Sequence, residues 1–178
     1  MKLCILGGGL TGLSLAKSLT KKGLSIDIFL NKKKSDFNRS RTIGISNDNL
    51  MYFNKEILDI KKLFWDIKKI EIYSENLRNE KILNFENNNK TIFAIIRNYQ
   101  LQSKLLKSLK KDKLCKFKQN FDYNLSNLKK YKLIINCEND NYFSKKFFAR
   151  SLKKKYNSLA NLSLIHISEP TRRTPISY

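Results

Sequence analysis

Lys2-Leu3-Cys4-Ile5-Leu6-Gly7-Gly8-Gly9-Leu10-Thr11-Gly12 is the stretch that decides the fold. Lys2 to Leu6 is a short apolar run of the kind that forms a strand buried in a parallel sheet. Three glycines then stop it and mark a turn. Leu10, Leu13, Leu15, Ala16 and Leu19 follow at helical spacing, as far as Lys21-Lys22-Gly23. Lysines suit the negative end of a helix, and Gly23 suits the position just past it. The pattern Gly7-x-Gly9-x-x-Gly12 therefore sits between a strand and a helix. In that setting the first glycine allows a tight turn, the second lets a pyrophosphate approach the backbone, and the third lets the helix pack closely on the strand. The spacing points to a dinucleotide.

Outward from this motif, Ser25 to Leu30 (SIDIFL) alternates and reads as a second strand, which completes a βαβ unit of about 30 residues. After the polar stretch Asn31 to Ser40 come Thr42 to Ser46 (TIGIS) and a helix expected from Asn47 through Ile60, with an Asn/Asp-rich start. Lys69 to Ser74, Lys81 to Phe85 and Thr91 to Ile96 are strand-like segments separated by Asn/Glu-rich turns, expected as an antiparallel excursion. Leu101, Leu105, Leu106 and Leu109 mark an amphipathic helix, and Lys132 to Cys137 (KLIINC) repeats the apolar character of the first strand. The fold class expected is α/β, a single domain with inserted antiparallel strands.

The acidic residue that takes the adenosine ribose hydroxyls in such folds belongs near position 30, where this chain has Leu30 followed by Asn31. Asn31 can hydrogen-bond a ribose hydroxyl, without the charge-assisted strength of a carboxylate; it also reads as a plain turn residue. Lys32-Lys33-Lys34 reads as a solvated run rather than a 2′-phosphate site. Lys plus Arg number 36 against 15 Asp plus Glu, a formal charge of +21. Lysine, asparagine, isoleucine and phenylalanine are the residues of A/T-rich codons, and the lysines are spread along the chain. The composition therefore reads as a solvated lysine coat, with no nucleic-acid partner expected. Cys4, Cys115 and Cys137 are widely spaced and odd in number, which excludes a disulfide framework and a CxxC zinc site and suits a reducing cytoplasm. They are read as small core residues, and Phe64 and Trp65 as core aromatics. No segment reaches the roughly 20 apolar residues of a membrane-spanning helix. No paired carboxylates, Ser/His/Asp set or metal-ligand spacing is evident, so no catalytic side chain and no metal site are assigned.

The composition changes abruptly near the C-terminus: both prolines and the only histidine, His166, fall there. Leu162-Ser163-Leu164-Ile165-His166-Ile167-Ser168-Glu169-Pro170-Thr171-Arg172 resembles a translated transposase adapter from a sequencing library. The resemblance implies that residues 162–178 are non-native and that residues 1–161 form an incomplete domain, its α/β fold truncated on the C-terminal side.

The order of segments resembles the flavin-dependent aromatic hydroxylases of ubiquinone biosynthesis, within the FAD-dependent monooxygenases. Residues 7–16, Gly-Gly-Gly-Leu-Thr-Gly-Leu-Ser-Leu-Ala, are similar to their FAD-binding opening. Arg41-Thr42-Ile43-Gly44-Ile45-Ser46 is similar to a segment whose arginine lies along the flavin cofactor. Ile95 through Gln102 is similar to their entry into a helix that touches FAD, and Leu133 through Asn139 sits where they carry an apolar strand and Gly-Ala-Asp-Gly. The resemblance implies a Rossmann-like FAD/NAD(P)-binding fold, with Gly7, Gly9, Gly12, Asn31, Arg41, Gln102 and Glu138 toward the cofactor. This sequence departs from the pattern in three places. Tyr99 stands where the family has arginine, with Arg97 pointing elsewhere; Glu138-Asn139 replaces Asp-Gly; and the acidic ribose ligand is absent.

By resemblance, the intact enzyme uses NAD(P)H and O2 to hydroxylate an aromatic ring of a polyprenylated ubiquinone precursor. The polyprenyl chain implies peripheral work at the inner face of a membrane, where a basic coat aids docking to anionic lipid. The chain itself is expected to be an inactive fragment. Two other readings stay open at this point: another FAD- or NAD-linked oxidoreductase, and a basic nucleic-acid-binding module without catalysis.

Overall fold

Four parallel strands form the central sheet, in the order Cys115–Gln119, Ser25–Leu30, Lys2–Leu6, Leu133–Asn136. They are β1 (Lys2–Leu6), β2 (Ser25–Leu30), β8 (Cys115–Gln119) and β9 (Leu133–Asn136). The computed structural model of the chain describes residues 2–30, 39, 41–74, 78, 80–88, 90–119, 121–122, 129–138 and 141–147. β1 lies between β2 and β9 in register, Leu3 opposite both Ile26 and Leu133, and Ile5 opposite both Ile28 and Ile135. Leu3 to Leu6 and Ile26 to Ile28 are buried, because both faces of this sheet are covered.

Helix α1 (Leu10–Lys21) connects β1 to β2 and turns Leu13 and Ala16 onto the sheet. Its end is a Schellman motif: Gly23 N–H donates to the Thr20 carbonyl at 3.0 Å and Leu24 N–H to that of Leu19 at 3.2 Å, with Gly23 at φ +79°. Helix α3 (Asn98–Lys110) returns the chain to β8 and buries Leu101, Leu105 and Leu109, one residue per turn on one stripe. Both helices pack with Leu3, Ile5, Ile26 and Ile28 in the larger core. On the other face Cys4 and Leu6 pack with Tyr131, flanked by Phe29, Phe121 and Phe143. That face also holds the fully buried Asp27, whose Oδ2 receives Tyr131 Oη at 2.7 Å, Lys118 Nζ at 2.6 Å and Lys2 Nζ at 2.9 Å. Burial alone pushes the Asp27 carboxyl up; hydrogen bonds from Lys118, Tyr131 and Lys2 overcome this and hold it below its ordinary value. Burial and the Asp27 bond push Tyr131 up to about 12.

Between β2 and α3 the chain makes its antiparallel excursion. β3 (Thr42–Ser46) and β4 (Phe64–Ile67) flank β7 (Phe93–Arg97), while β5 (Lys69–Ser74) and β6 (Glu80–Glu86) form a separate hairpin. The inserted strands expected from the sequence are therefore present, but divided between two small sheets. The helix expected over Asn47 through Ile60 is shorter. α2 (Asn47–Tyr52) passes into a π-turn over Phe53–Ile57 and stops at Leu58, which is extended at φ −159° and ψ 135°. Asn54 is the reason: its Oδ1 accepts from Ile60 N–H at 2.7 Å and draws the chain out of the helical path. A short helix α4 (Tyr142–Phe147) follows β9.

Two expectations about side chains need correction or completion. Trp65 is 43% exposed, so it is not a core residue; the Arg97 guanidinium lies 5.3 Å from its ring centroid. Phe64, its neighbour, is half-buried and does pack against the larger core. Cys4 and Cys115 are buried, and Cys137 is half-buried against the larger core.

Candidate dinucleotide site

β1 ends where the strand order reverses, between β2 on one side and β9 on the other. This is the switch point at which open α/β sheets bind ligands, at the carboxyl ends of their strands. The ladder continues just past Leu6: Gly7 N–H donates to the Phe29 carbonyl at 3.0 Å, and Cys137 N–H to that of Leu6 at 2.8 Å. The chain must then turn away at Gly7, which has φ +114°. A β-carbon at Gly7 would also lie 2.9 Å from Glu138 Cγ and 3.1 Å from the Cys137 carbonyl oxygen. Conformation and space thus both require glycine.

Gly12 answers a different constraint. A β-carbon there would fall under 3.0 Å from the Gly7 carbonyl oxygen and 3.4 Å from Ile5 Cγ2, so glycine brings the first turn of α1 onto β1. Gly9 shows the opposite surroundings: a β-carbon there would meet nothing within 4 Å. It is exposed and is the N-cap of α1, with no side-chain cap and no acidic residue in the first turn. The first intrahelical bond is Leu13 N–H to the Gly9 carbonyl at 3.0 Å, so the N–H groups ahead of it have no helical carbonyl to bond. Open space in front of partly positive N–H groups fits a phosphate.

Two further candidates converge on this turn from distant parts of the chain. Gln102, on α3, donates Nε2–H to the Gly8 carbonyl at 2.8 Å. Glu138, just after β9, lies beside Gly7. A polar network holds Glu138 there: Asn136 Oδ1 accepts from Glu138 N–H at 3.1 Å and from Asn141 Nδ2 at 2.6 Å, and Ser144 Oγ–H donates to the Glu138 carbonyl at 3.0 Å. Burial, with the Glu138 charge second, pushes the Cys137 thiol up. Arg41 is exposed at the start of β3, and its carbonyl accepts from Asn98 N–H at 2.9 Å. It is thus linked through α3, by way of Asn98 and Gln102, to the glycine turn. Asn31 lies outside the described residues.

The sequence reading noted Leu30 only for its missing carboxylate and did not single out Asn98. Leu30 Cδ2 lies against Gly8, in the space a β-carbon there would take, so a side chain at Gly8 would require Leu30 to move. Asn98, at the start of α3, has a buried Oδ1 without a hydrogen-bond partner among the described residues, a polar atom left over beside Arg41. Tyr99, where the resemblance calls for arginine, is half-buried in the same first turn. A cavity of 490 Å³ elsewhere is lined by Ser46, Asn84, Phe85 and Thr91 among others, and by none of the glycines. Among the described residues no group of three or more His, Cys, Asp or Glu side chains could hold a metal ion, and no helix is long and apolar enough to cross a membrane.

Comparison with solved structures gives this geometry a setting. PqsL of Pseudomonas aeruginosa, described as a probable FAD-dependent monooxygenase, superposes with TM-score 0.63 at 10% identity, over 88% of this chain and 48% of its own. The p-nitrophenol 4-monooxygenase PnpA of Pseudomonas putida DLL-E4 matches with TM-score 0.55 at 17% identity, over 66% of this chain and 31% of its own. HpxO of Klebsiella pneumoniae, whose structure contains FAD and uric acid, matches with TM-score 0.51 at 18% identity, over 66% and 31%. The fold is that of the FAD-dependent monooxygenases. The chain spans 31% to 48% of the length of these structures. No family model matches the sequence, and no curated protein does.

Within that fold the residues at the switch point suit the pyrophosphate of a dinucleotide. They do not suit its adenosine ribose equally well, because the end of β2 presents a leucine where a carboxylate is the usual partner.

Proposed function

We propose that the chain is the cofactor-binding, N-terminal part of an FAD-dependent, NAD(P)H- and O2-using monooxygenase that hydroxylates an aromatic ring of a ubiquinone precursor. The observation that carries this reading is the open, uncapped helix start at Gly9, set at the switch point of a fold shared with FAD-dependent monooxygenases. FAD, when bound, supplies the redox chemistry; the protein's part is to bind, orient and shield it. Gly9 and the first N–H groups of α1 receive the pyrophosphate, and Gly7 and Gly12 give the turn its shape. Gln102 holds the turn through Gly8, and the Arg41 guanidinium steadies the cofactor from the β3 side. Glu138 lies at the far edge of the turn, where a carboxylate accepts hydroxyl protons from the cofactor's sugar-like chain. Residues 162–178 are read as foreign to the domain. Spanning less than half of the matched structures' length, the chain binds the cofactor without turning over substrate.

The ubiquinone-type substrate rests on the resemblance of residues 7–16, 41–46 and 95–102, and with it comes peripheral contact with an anionic membrane surface through the lysine coat. The experiment is to equilibrate the protein with FAD, remove free flavin by gel filtration, and add a prenylated phenol. Co-eluting flavin whose visible spectrum shifts on addition of the phenol supports the proposal. Flavin that elutes free of protein contradicts the cofactor assignment, and a spectrum unmoved by any ring compound contradicts the substrate class. Sedimentation with anionic vesicles should fall between low and high salt; sedimentation independent of salt contradicts the membrane contact.

A further inference from the structure

The end of β2 carries information about which part of the nucleotide this site grips. Leu30 is the last residue of β2, and it immediately follows Phe29, whose carbonyl accepts from Gly7 N–H. Its Cδ2 methyl sits against Gly8, between the first two glycines of the motif, and its half-buried side chain packs on the larger core. A carboxylate at the end of this strand binds the adenosine ribose hydroxyls in dinucleotide folds. A leucine there offers no acceptor, and it lines the same place with methyl groups.

We propose that Leu30 sets the nucleotide preference of the site: the pyrophosphate is held by the turn and α1, while the last residue of β2 offers the adenosine ribose hydroxyls no acceptor. The inference rests on the dinucleotide reading of the preceding section and adds a specificity to it. A ligand's 2′-hydroxyl then contributes little to affinity, because Leu30 gives it no hydrogen bond in exchange for water. Restoring a carboxylate at this point creates a charge-assisted acceptor for that hydroxyl and makes its presence matter.

The test is titration calorimetry of the full chain with ADP and with 2′-deoxy-ADP, for the natural sequence and for Leu30→Glu. The natural sequence should bind the two nucleotides within about threefold of each other, and Leu30→Glu should favour ADP by roughly tenfold, the worth of one charge-assisted hydrogen bond. Uncharged Leu30→Gln should fall between them, and melting curves establish that each variant is folded. A natural chain that already prefers ADP tenfold overturns the inference, since another group then grips the ribose. Failure of folded Leu30→Glu to gain a preference also overturns it, since position 30 then lies away from the ribose. If the natural chain binds neither ADP nor FAD, the dinucleotide reading itself fails, a result distinct from the other two.

Discussion

Replacing Gly12 by alanine tests whether this glycine exists for packing rather than for ligand approach. The added methyl would fall under 3.0 Å from the Gly7 carbonyl oxygen, a backbone atom, and 3.4 Å from Ile5 Cγ2. Neither neighbour yields easily. Gly7 is held by its bond to the Phe29 carbonyl and confined by Glu138 and Cys137, and Ile5 is fully buried. The first turn of α1 must therefore lift from β1. Overpacking of this kind costs about 1–3 kcal/mol. Contact with backbone puts the cost toward the upper end, and alanine's better helix propensity returns about 0.5–1 kcal/mol. The net loss is about 2 kcal/mol, which in a chain of this size lowers Tm by roughly 4–8 °C. Thermal unfolding followed by far-ultraviolet circular dichroism measures it without any ligand. A Gly12→Ala protein that melts at or above the natural one would refute the reasoning, because glycine would then not be what lets α1 approach the strand.

Two further outcomes follow from the same geometry. Asp27→Asn should cost about 2 kcal/mol, below the roughly 3–5 kcal/mol of a broken buried ion pair, because Lys2 and Lys118 are 35% and 34% exposed and can turn to water. The Asp27 carboxyl is depressed in the folded state, so its contribution is complete above the ordinary carboxylate value and is lost as pH falls below it. Urea unfolding from about pH 6 to about pH 3 should therefore show a shallower acid loss in Asp27→Asn than in the natural protein, and equal slopes would contradict the assignment. Gln102→Ala removes the 2.8 Å bond to the Gly8 carbonyl, at about 0.5–1.5 kcal/mol in stability. It should weaken FAD binding by roughly threefold to tenfold, measured by flavin fluorescence; unchanged affinity would remove Gln102 from the site.

What was legible in the sequence had local causes. Lys2–Leu6 is apolar because both faces of its strand are covered, and Gly7, Gly9 and Gly12 are spaced by the geometry of one turn, so both could be read without tertiary information. The strand ends at Ser25–Leu30, Thr42–Ser46 and Lys69–Ser74 fell where their alternation stops. β8 was missed because Lys116 and Lys118 alternate through it; they suit an edge strand, and in a lysine-rich chain they carry no signal. β4 was missed because Phe64–Ile67 is too short for its alternation to register. The alternation of Ser25–Leu30 carries no sign that Asp27 is buried and paired, because its partner Tyr131 lies 104 residues away. Gln102 was expected at the site by resemblance alone, since its bond to Gly8 spans 94 residues. The same limit hid the packing of Leu30 on Gly8, although the missing carboxylate was itself evident in the sequence.

The most direct test of the account is FAD titration of the natural chain against Gly9→Asp, with melting curves for both. Aspartate is a favoured N-cap, its β-carbon meets nothing within 4 Å at this position, and its charge interacts well with the positive helix end, so the variant should melt at or above the natural protein. The same carboxylate occupies and repels the place proposed for the pyrophosphate. The account predicts saturable FAD binding by the natural chain and its loss in a fully folded Gly9→Asp. FAD binding of equal strength by the two proteins would contradict it.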